Sequence, residues 1–300
     1  MRKAKVKVIL AMLIFGTVGL FVKQIPLASS GIAFYRGLLG SLFLMIVLIS
    51  KKDKISWNSL KQNAKILFFS GVAIGLNWIL LFESYRYTTL SNATLSYYFA
   101  PLFVLLVSPF VLKEKLTAVK VGCILLALIG MYLIVGKSPV ISGEYNHLLG
   151  ILYGIGAAAF YASLILLNKF LKGLSGLEST LIQLAVASAV LLPYVMLTEG
   201  SELFHIPTHS LSYLLILGIV HTGIGYTFYF SAMQDLKGQT VAILSYIDPI
   251  SAVFISALLL NEKMSFMQLV GGIFILGAAF VSEWPLPERK TLWIKAKERR

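Results

Sequence analysis

The chain has 300 residues, of which 58% are hydrophobic and 13% charged, and its formal net charge is +13. The mean hydropathy is +0.83, and the apolar residues form runs of about 20 residues, the length that crosses a bilayer as a helix. This composition excludes a water-soluble globular protein. Lys and Arg lie between the apolar runs and in the C-terminal tail, which indicates cytoplasmic loops of a membrane protein rather than nucleic-acid binding.

Ten apolar segments follow one another along the chain and predict an all-α membrane protein with ten transmembrane helices. Their approximate bounds are 6–22, 31–50, 65–84, 92–112, 117–136, 148–168, 177–198, 210–231, 239–260 and 265–283. The loops between them are short, so no domain outside the membrane is predicted.

The basic residues predict the orientation of these helices. With a cytoplasmic N-terminus, the inner segments carry 21 Lys and Arg residues and the outer segments carry 4. Short cytoplasmic loops of membrane proteins are enriched in Lys and Arg. We therefore expect a multi-pass protein of the plasma (inner) membrane with both termini in the cytoplasm.

One stretch of sequence occurs twice. The first copy, YFAPLFVLLVSPFVLKEKLT, begins at Tyr98, and the second, YIDPISAVFISALLLNEKMS, begins at Tyr246. They align without a gap at an offset of 148 residues, and six of the twenty positions are identical. Such a repeat indicates that one structural unit is used twice.

The repeat predicts a first five-helix unit over residues 1–137, a second over 148–283, and a basic cytoplasmic tail over 284–300. Because five is an odd number, the second unit would enter the membrane from the opposite side. The two units then form an inverted repeat, which is typical of transporters that work by alternating access.

Several features resemble the drug/metabolite transporter superfamily. They are the paired ends LKEKLT and LNEKMS, the prolines Pro101 and Pro249, the segment AFYR that ends at Arg36, and the ten predicted helices. More narrowly, residues 6–283 resemble the bacterial branch with two EamA-type domains. This resemblance implies an export carrier with a central cavity between its halves, for amino acids, other metabolites or drugs.

Arg36 lacks a basic counterpart in the second repeat, where the nearest position is Gln183. It lies near the outer end of the second predicted helix. We expect its side chain to extend outward to the membrane surface. Binding of a substrate carboxylate is the alternative.

Polar and aromatic residues at mid-membrane depth are the candidates for binding substrate. Asp248 precedes Pro249 where the first copy has Ala100, and a carboxylate at this depth usually faces a cavity or a partner. The full set of candidates is Asn77, Trp78, Tyr98, His221, Tyr246 and Asp248. Tyr97, Tyr161, Tyr226 and Tyr229 are expected to extend an aromatic cavity wall. Asp248 and His221 could also carry protons.

Pro101 and Pro249 predict helix kinks near the middle of the bilayer, because proline removes a helical hydrogen bond. Glu114 and Glu262 end the helices that contain these prolines and are expected to form repeat corners or, alternatively, to pair across the cavity mouth as a gate. Thr117 and Ser265 are predicted N-caps of the next helices. Several glycines are predicted to allow close helix packing: Gly71, Gly75, Gly122, Gly154, Gly156, Gly271 and Gly272.

The sequence thus favours a secondary transporter that exports a small organic metabolite, such as an amino acid or a related amphipathic solute. The expected partners are this solute, the lipid bilayer and protons, with no cofactor, metal or nucleic acid. A multidrug exporter is the alternative within transport. A rhomboid-like intramembrane protease, suggested by Ser175 in the motif GLSG, is disfavoured because Ser175 lies in a predicted cytoplasmic loop and His221 lies in the membrane.

Overall fold

The protein is described from a computed structural model, which covers residues 2–51, 56–113, 117–137, 141–142, 145–200, 206–233, 235–236 and 244–283. The helices of the first half are α1 (Arg2–Gly16), α2 (Val18–Val22), α3 (Ser29–Ser50), α4 (Trp57–Tyr87), α5 (Leu90–Tyr97), α6 (Ala100–Val111) and α7 (Ala118–Lys137). Those of the second half are α8 (His147–Asn168), α9 (Gly176–Thr198), α10 (Thr208–Leu215), a π-helical segment (Ile216–Ile224), α11 (Gly225–Met233), α12 (Ile247–Leu259) and α13 (Phe266–Glu283). The two-residue strands β1 (Ile141–Ser142) and β2 (Tyr145–Asn146) form an antiparallel pair between the halves, with Ile141 opposite Asn146.

Seven helical segments among the described residues are long and apolar enough to cross a membrane. They are Arg2–Val22, Ser29–Ser50, Trp57–Tyr87, Leu90–Val111, His147–Asn168, Gly176–Thr198 and Thr208–Ala232. Three shorter apolar helices, Ala118–Ile134, Ile247–Leu259 and Phe266–Val281, coincide with the remaining predicted segments. The all-helical class is therefore confirmed, whereas the number of ten membrane crossings stays a prediction.

The two helices with predicted N-caps, α7 and α13, begin at side chains that accept hydrogen bonds from backbone N–H groups of the first turn. The Thr117 hydroxyl accepts a hydrogen bond from the Lys120 N–H at 3.3 Å at the start of α7. At the start of α13, Ser265 accepts from the Gln268 N–H at 3.2 Å, and the Gln268 side chain accepts from the Ser265 N–H at 2.8 Å. These reciprocal bonds hold the corners between helices in place.

In each of the two segments with a predicted kink, a new helix starts just before the proline. α5 ends at Tyr97, and α6 starts at Ala100 with Pro101 as its second residue. Similarly, Pro249 is the third residue of α12. Proline is well tolerated there because the N–H groups of a first helical turn have no helical partner.

Several helix contacts occur twice, the second time with the first and second halves of the chain exchanged. α3 packs on α9 and α7 packs on α13, so each helix of these pairs contacts its own counterpart. α4 packs on α8, and in the reciprocal position α1 packs on α11. Likewise, α3 contacts the π-helical segment where α9 contacts α4. The halves are thus interleaved, and residues from both halves line the space between them.

Glycines allow the closest of these helix contacts. At six of the seven glycines predicted as packing sites, an added Cβ would come within 3.3 Å of a neighbouring atom. At Gly271 this atom is the Gly130 carbonyl oxygen, at 2.5 Å, where α13 crosses α7. The packing prediction is wrong for Gly122, because an added Cβ there meets nothing within 4 Å among the described residues. Gly122 lies on a side of α7 that no other described helix covers.

Candidate functional site

The Arg36 side chain turns into the protein between the two halves. It is 5% exposed, and its Nε donates a hydrogen bond to Thr222 Oγ1 at 2.9 Å. The Thr222 hydroxyl in turn donates to the Leu217 carbonyl at 3.0 Å, which leaves its oxygen free to accept from Arg36. The expectation that Arg36 extends outward to the membrane surface is therefore wrong.

Trp78 explains how this cation is held in the interior. The Arg36 guanidinium carbon lies 4.4 Å from the centroid of the Trp78 ring and 5.8 Å from that of Phe82. The face of an aromatic ring attracts a cation, and this attraction is stronger where water is excluded. The ring and the Thr222 hydroxyl fix the plane of the guanidinium.

Asn77 and Trp78, adjacent in the sequence, serve different contacts. Asn77 is 3% exposed, and its Nδ2 donates to the Ala157 carbonyl at 2.7 Å, which joins α4 to α8. A substrate that contacts the Asn77 amide must therefore share it with this helix contact.

Asp248 lies at the start of α12 and contacts the first half through Tyr98. Tyr98 donates a hydrogen bond from its hydroxyl to Asp248 Oδ2 at 3.1 Å. The Tyr98 and Tyr246 rings, which occupy equivalent positions of the repeat, lie 6.3 Å apart. The positive end of α12 also favours a carboxylate in its first turn.

Arg36 and Asp248 carry opposite charges and belong to different halves of the molecule. The ion pairs found in the described ranges are Lys23–Glu262 and Arg86–Glu83, so Arg36 and Asp248 do not form a direct ion pair.

The tyrosines expected in an aromatic cavity wall pack against other aromatic rings, and the wall itself stays a prediction. The Tyr97 ring lies 5.4 Å from Tyr161 and 6.3 Å from Tyr98, and the Tyr226 ring lies 5.9 Å from Phe230. The Tyr229 ring lies 5.4 Å from the same Phe230 ring.

Sequence reasoning missed two residues of the cluster. Tyr85, whose ring stacks on Phe82 at 6.4 Å, lies seven positions after Trp78 and so on the same helix face. This spacing was a usable signal. Thr222 had no such signal, because its contact with α3 depends on how the halves pack.

His221, the residue before Thr222 in the π-helical segment, contacts the first half through Thr17 rather than Arg36. Its Nε2 lies 2.8 Å from the Thr17 hydroxyl, and its Nδ1 lies 3.2 Å from the Ile216 carbonyl, five residues earlier. The Phe21 ring packs edge-on at 4.9 Å. This i−5 contact accompanies the π-helical backbone, a form that often occurs at functional sites.

Glu262 joins the two halves at one end of the molecule. Its Oε1 lies 2.6 Å from Lys23 Nζ, and its Oε2 accepts hydrogen bonds from the Leu90 N–H at 2.8 Å and from the Ser256 hydroxyl. The carboxylate thus faces the positive end of α5. Its repeat counterpart, Glu114, lies outside the described residues.

A cavity of about 360 Å³ opens at the other end of the bundle. Its lining residues are Lys51, Ser175, Gly176, Leu177, Thr227, Phe230 and Ser231. The Phe230 ring at this cavity lies 5.9 Å from the Tyr226 ring.

Ser175 caps the start of α9 in a capping box with Glu178. Its hydroxyl accepts from the Glu178 N–H at 3.2 Å, and Glu178 Oε2 accepts from the Ser175 N–H at 2.6 Å. The ring nitrogens of His221 are engaged separately by Thr17 and Ile216. Within the ranges described, no group of three His, Cys, Asp or Glu side chains could hold a metal ion.

Comparison with known proteins shows what kind of molecule carries this site. The model of the EamA-like transporter family matches the chain twice, over residues 3–136 and 148–283. The chain belongs to the EamA-like transporter family. The expected relationship to the drug/metabolite transporters is thereby confirmed, and this EamA-like protein is a multi-pass transmembrane transporter.

Individual EamA-like relatives cover most of the chain. Transporter YxxF of Bacillus subtilis strain 168 is 29% identical over 91% of this chain and 86% of its own length. A transporter of Archaeoglobus fulgidus is 26% identical over 94% and 97%. A "probable amino-acid metabolite efflux pump" of Salmonella typhimurium is 27% identical over 63% and 66%. A crystal structure that is 16% identical over 99% of both chains superposes with a TM-score of 0.62, which shows a shared fold.

Proposed function

We propose that the protein is a secondary transporter that exports a small organic solute across the plasma membrane by alternating access. The solute is an amino acid or a related amphipathic metabolite. The observation that carries this proposal is that the two halves place oppositely charged residues inside the helical bundle: Arg36, held by Trp78 and Thr222, and Asp248, hydrogen-bonded to Tyr98. A solute bound there contacts both halves, so movement of one half against the other changes its access.

The exchange-related packing of the helices supports the alternating-access part. Two five-helix units with opposite orientation can interchange their conformations, which opens the site first to one side and then to the other. The distribution of 21 inner and 4 outer basic residues favours this inversion and cytoplasmic termini. The name of the Salmonella relative, an amino-acid metabolite efflux pump, supports the choice of solute.

With the predicted orientation, the structure is open to one side of the membrane and closed to the other. Lys23 and Glu262 lie on the predicted outer side, where their contact holds the halves together. The cavity beside Lys51 and Ser175 lies on the predicted cytoplasmic side. Under this proposal the protein is closed to the outside and accessible from the cytoplasm, as an exporter is before it takes up cargo.

Transport by purified protein in liposomes tests the proposal. Labelled amino acids are expected to cross faster than in protein-free liposomes, with and without an imposed pH gradient. Gly122→Ala is a suitable positive control because the added Cβ meets nothing within 4 Å in the described structure. Absence of flux for every tested solute under both conditions would rule out the proposal.

A multidrug exporter is the second candidate, and the tyrosine-rich surroundings of the site favour it. Aromatic walls accept flat apolar compounds of many shapes. Drug-resistance profiling of a strain that expresses the protein separates the candidates: a broad rise in tolerance without amino-acid flux would favour drug export. The protease alternative predicts loss of activity in Ser175→Ala, whereas we expect this variant to transport normally.

A further inference from the structure

Two neighbouring helical segments, one from each half, depart from regular α-helical bonding where they meet. Between α1 and α2, the Thr17 N–H bonds to the Ile14 carbonyl at 3.1 Å, three residues back instead of four. On the facing segment, the backbone between α10 and α11 widens into the π-helical segment, Ile216–Ile224. The Thr17 hydroxyl oxygen lies 2.8 Å from His221 Nε2, so the two breaks are in direct contact. A short 3₁₀-type turn within a helix often marks a hinge, and π-helical turns often occur at functional sites.

Aromatic contacts on both sides of the breaks hold the two segments together. On one side, the Phe15 ring of α1 lies 5.4 Å from the Tyr226 ring of α11. On the other side, the Phe21 ring of α2 lies 6.0 Å from the Tyr213 ring of α10. The segments therefore run antiparallel with their breaks at one level. We call α1–α2 together with α10, the π-helical segment and α11 the interrupted pair.

The helix pair that corresponds to it after exchange of the halves is α4 with α8, and neither helix is interrupted. α4 is a regular α-helix over Trp57–Tyr87, and α8 is one over His147–Asn168. The Ser84 hydroxyl of α4 donates to the Gly150 carbonyl of α8 at 2.7 Å. We call α4 and α8 the continuous pair. The two pairs occupy equivalent places in the repeat, yet their backbones differ.

The π-helical turn follows from one extra residue in the second repeat. Gly71 and Gly75 of α4 are four residues apart, whereas the corresponding Gly218 and Gly223 are five apart. In an α-helix, residues five apart differ by about 140° around the axis, so these two glycines could not face one neighbour. The wider turn directs both onto α3, where an added Cβ at either glycine would lie 2.3 Å from a side-chain atom of α3. Close packing on α3 thus supports the π-helical form.

The position of the breaks links them to the contact that joins the halves on the predicted outer side. α2 ends at Val22, and the next residue, Lys23, forms the ion pair with Glu262. A bend at Thr17 therefore carries Lys23 along with α2, while α1 keeps its contact with α11. Because α2 and α10 are joined by their aromatic rings, α10 moves with α2.

We propose that the interrupted pair is the bending element of the transport cycle and that the continuous pair is its rigid counterpart. α2 and α10 swing together about Thr17 and the π-helical segment, and the contact between Lys23 and Glu262 opens. The contact between Thr17 and His221 is the joint that couples the two breaks. This inference rests on the proposed alternating access and adds which helices bend.

Hydrogen–deuterium exchange of the purified full-length protein in detergent, read by mass spectrometry, tests the proposal without any cargo. Lys23→Gln is expected to raise exchange several-fold in peptides from α2 and the π-helical segment, because local opening is easier once the ion pair is lost. Peptides from α4 and α8 should not change. Glu262→Gln releases the same ion pair and should give the same pattern, which guards against a folding defect in one variant. Arg86→Gln is the matched control, since it breaks the Arg86–Glu83 pair of α4 and should change none of these peptides.

Thr17→Val tests the joint, because it removes the hydroxyl and keeps the shape of the side chain. Combined with Lys23→Gln, it is expected to preserve the increase in α2 and to reduce that in the π-helical segment by about half or more, as coupled sites do when their shared contact is lost. Ser84→Ala is the matched control, since it removes a hydrogen bond within the continuous pair. With Ser84→Ala, the increase in the π-helical segment should persist.

Equal increases in the interrupted and continuous pairs, or none in the π-helical segment, would overturn the inference. An increase in the π-helical segment that Thr17→Val leaves intact would reject the joint. Solute flux into liposomes is measured separately from exchange. Absence of all flux together with the expected exchange pattern would reject the transport function and leave the bending of the interrupted pair standing.

Discussion

Lys113 and Asn261 adopt the same unusual backbone conformation at positions 148 residues apart. Their φ angles are 57° and 52°, in the left-handed region, and each residue follows the end of a helix that begins at a repeated proline. The internal repeat is thus visible in the backbone at the corner after α6 and at the corner after α12. Asn tolerates this conformation better than Lys does, because its short polar side chain can bond locally.

This difference predicts that Lys113→Gly stabilises the protein. Glycine adopts a positive φ without the steric conflict of a Cβ, and relief of that conflict is typically worth about 1 kcal/mol. We expect a higher midpoint of thermal unfolding in detergent. Lys113→Ala removes the charge but keeps the Cβ, so it should not raise the midpoint. An equal rise in both variants would attribute the effect to charge and contradict the backbone explanation.

The crossing of α7 and α13 predicts opposite outcomes for two glycines of α7. In Gly130→Ala, the new Cβ would lie 2.6 Å from the Gly271 carbonyl oxygen, so the helices must separate. We expect a loss of about 1–3 kcal/mol in the free energy of unfolding. Gly122→Ala should be neutral or stabilising by up to about 1 kcal/mol, since Ala favours helix and the space is open. Unfolding in detergent measures both, and equal effects would show that the crossing does not depend on Gly130.

The Glu262 contact predicts that its carboxylate is important for stability and for closure of the outer side. Glu262→Gln weakens the bonds with Lys23 and with the Leu90 N–H, and we expect a loss of about 1–3 kcal/mol because the site is shielded from water. Glu83→Gln is the matched control, since Glu83 pairs with the half-exposed Arg86 and such surface pairs contribute about 0–1 kcal/mol. A double-mutant cycle of Lys23→Gln with Glu262→Gln isolates the pair, and a coupling energy near zero would contradict its role in joining the halves.

Asp248 predicts a change in how transport depends on pH. If its carboxylate carries a proton with each cycle, Asp248→Asn abolishes the stimulation of export by a pH gradient, because the amide does not titrate. The measurement is amino-acid flux into liposomes across external pH values with a fixed internal pH. Asp235→Asn, at an exposed position after α11, should behave like the wild-type protein. An unchanged rate and pH profile in Asp248→Asn would exclude its coupling role and leave facilitated diffusion.

Several candidate residues of the central site stand out in the local sequence. Asp248 was conspicuous because it stands where the first repeat has Ala100, and Trp78 because a tryptophan in the middle of an apolar segment is uncommon. Tyr98 and Tyr246 follow from the repeat itself. Each of these residues stands out from the apolar residues beside it in the sequence.

The burial of Arg36 could not be predicted from the residues around it in the sequence. Its position near the end of an apolar segment favoured the membrane surface, yet the rotation of α3 directs it onto Trp78 and Thr222. Likewise, nothing in the sequence relates Lys23 to Glu262 across 239 residues. Such contacts depend on how helices turn and cross.

The sequence by itself determined the membrane class, the repeat, the departure from a regular helix near Pro101 and Pro249, and the caps at Thr117 and Ser265. These features follow from the length of apolar runs and from bonds within a few residues. Only the tertiary structure decided that Arg36 is buried, that Gly130 rather than Gly122 lies at a helix crossing, and that Glu262 joins the halves. The reason is that the surroundings of a side chain are set by neighbouring helices, whose packing depends on many weak contacts distant in sequence.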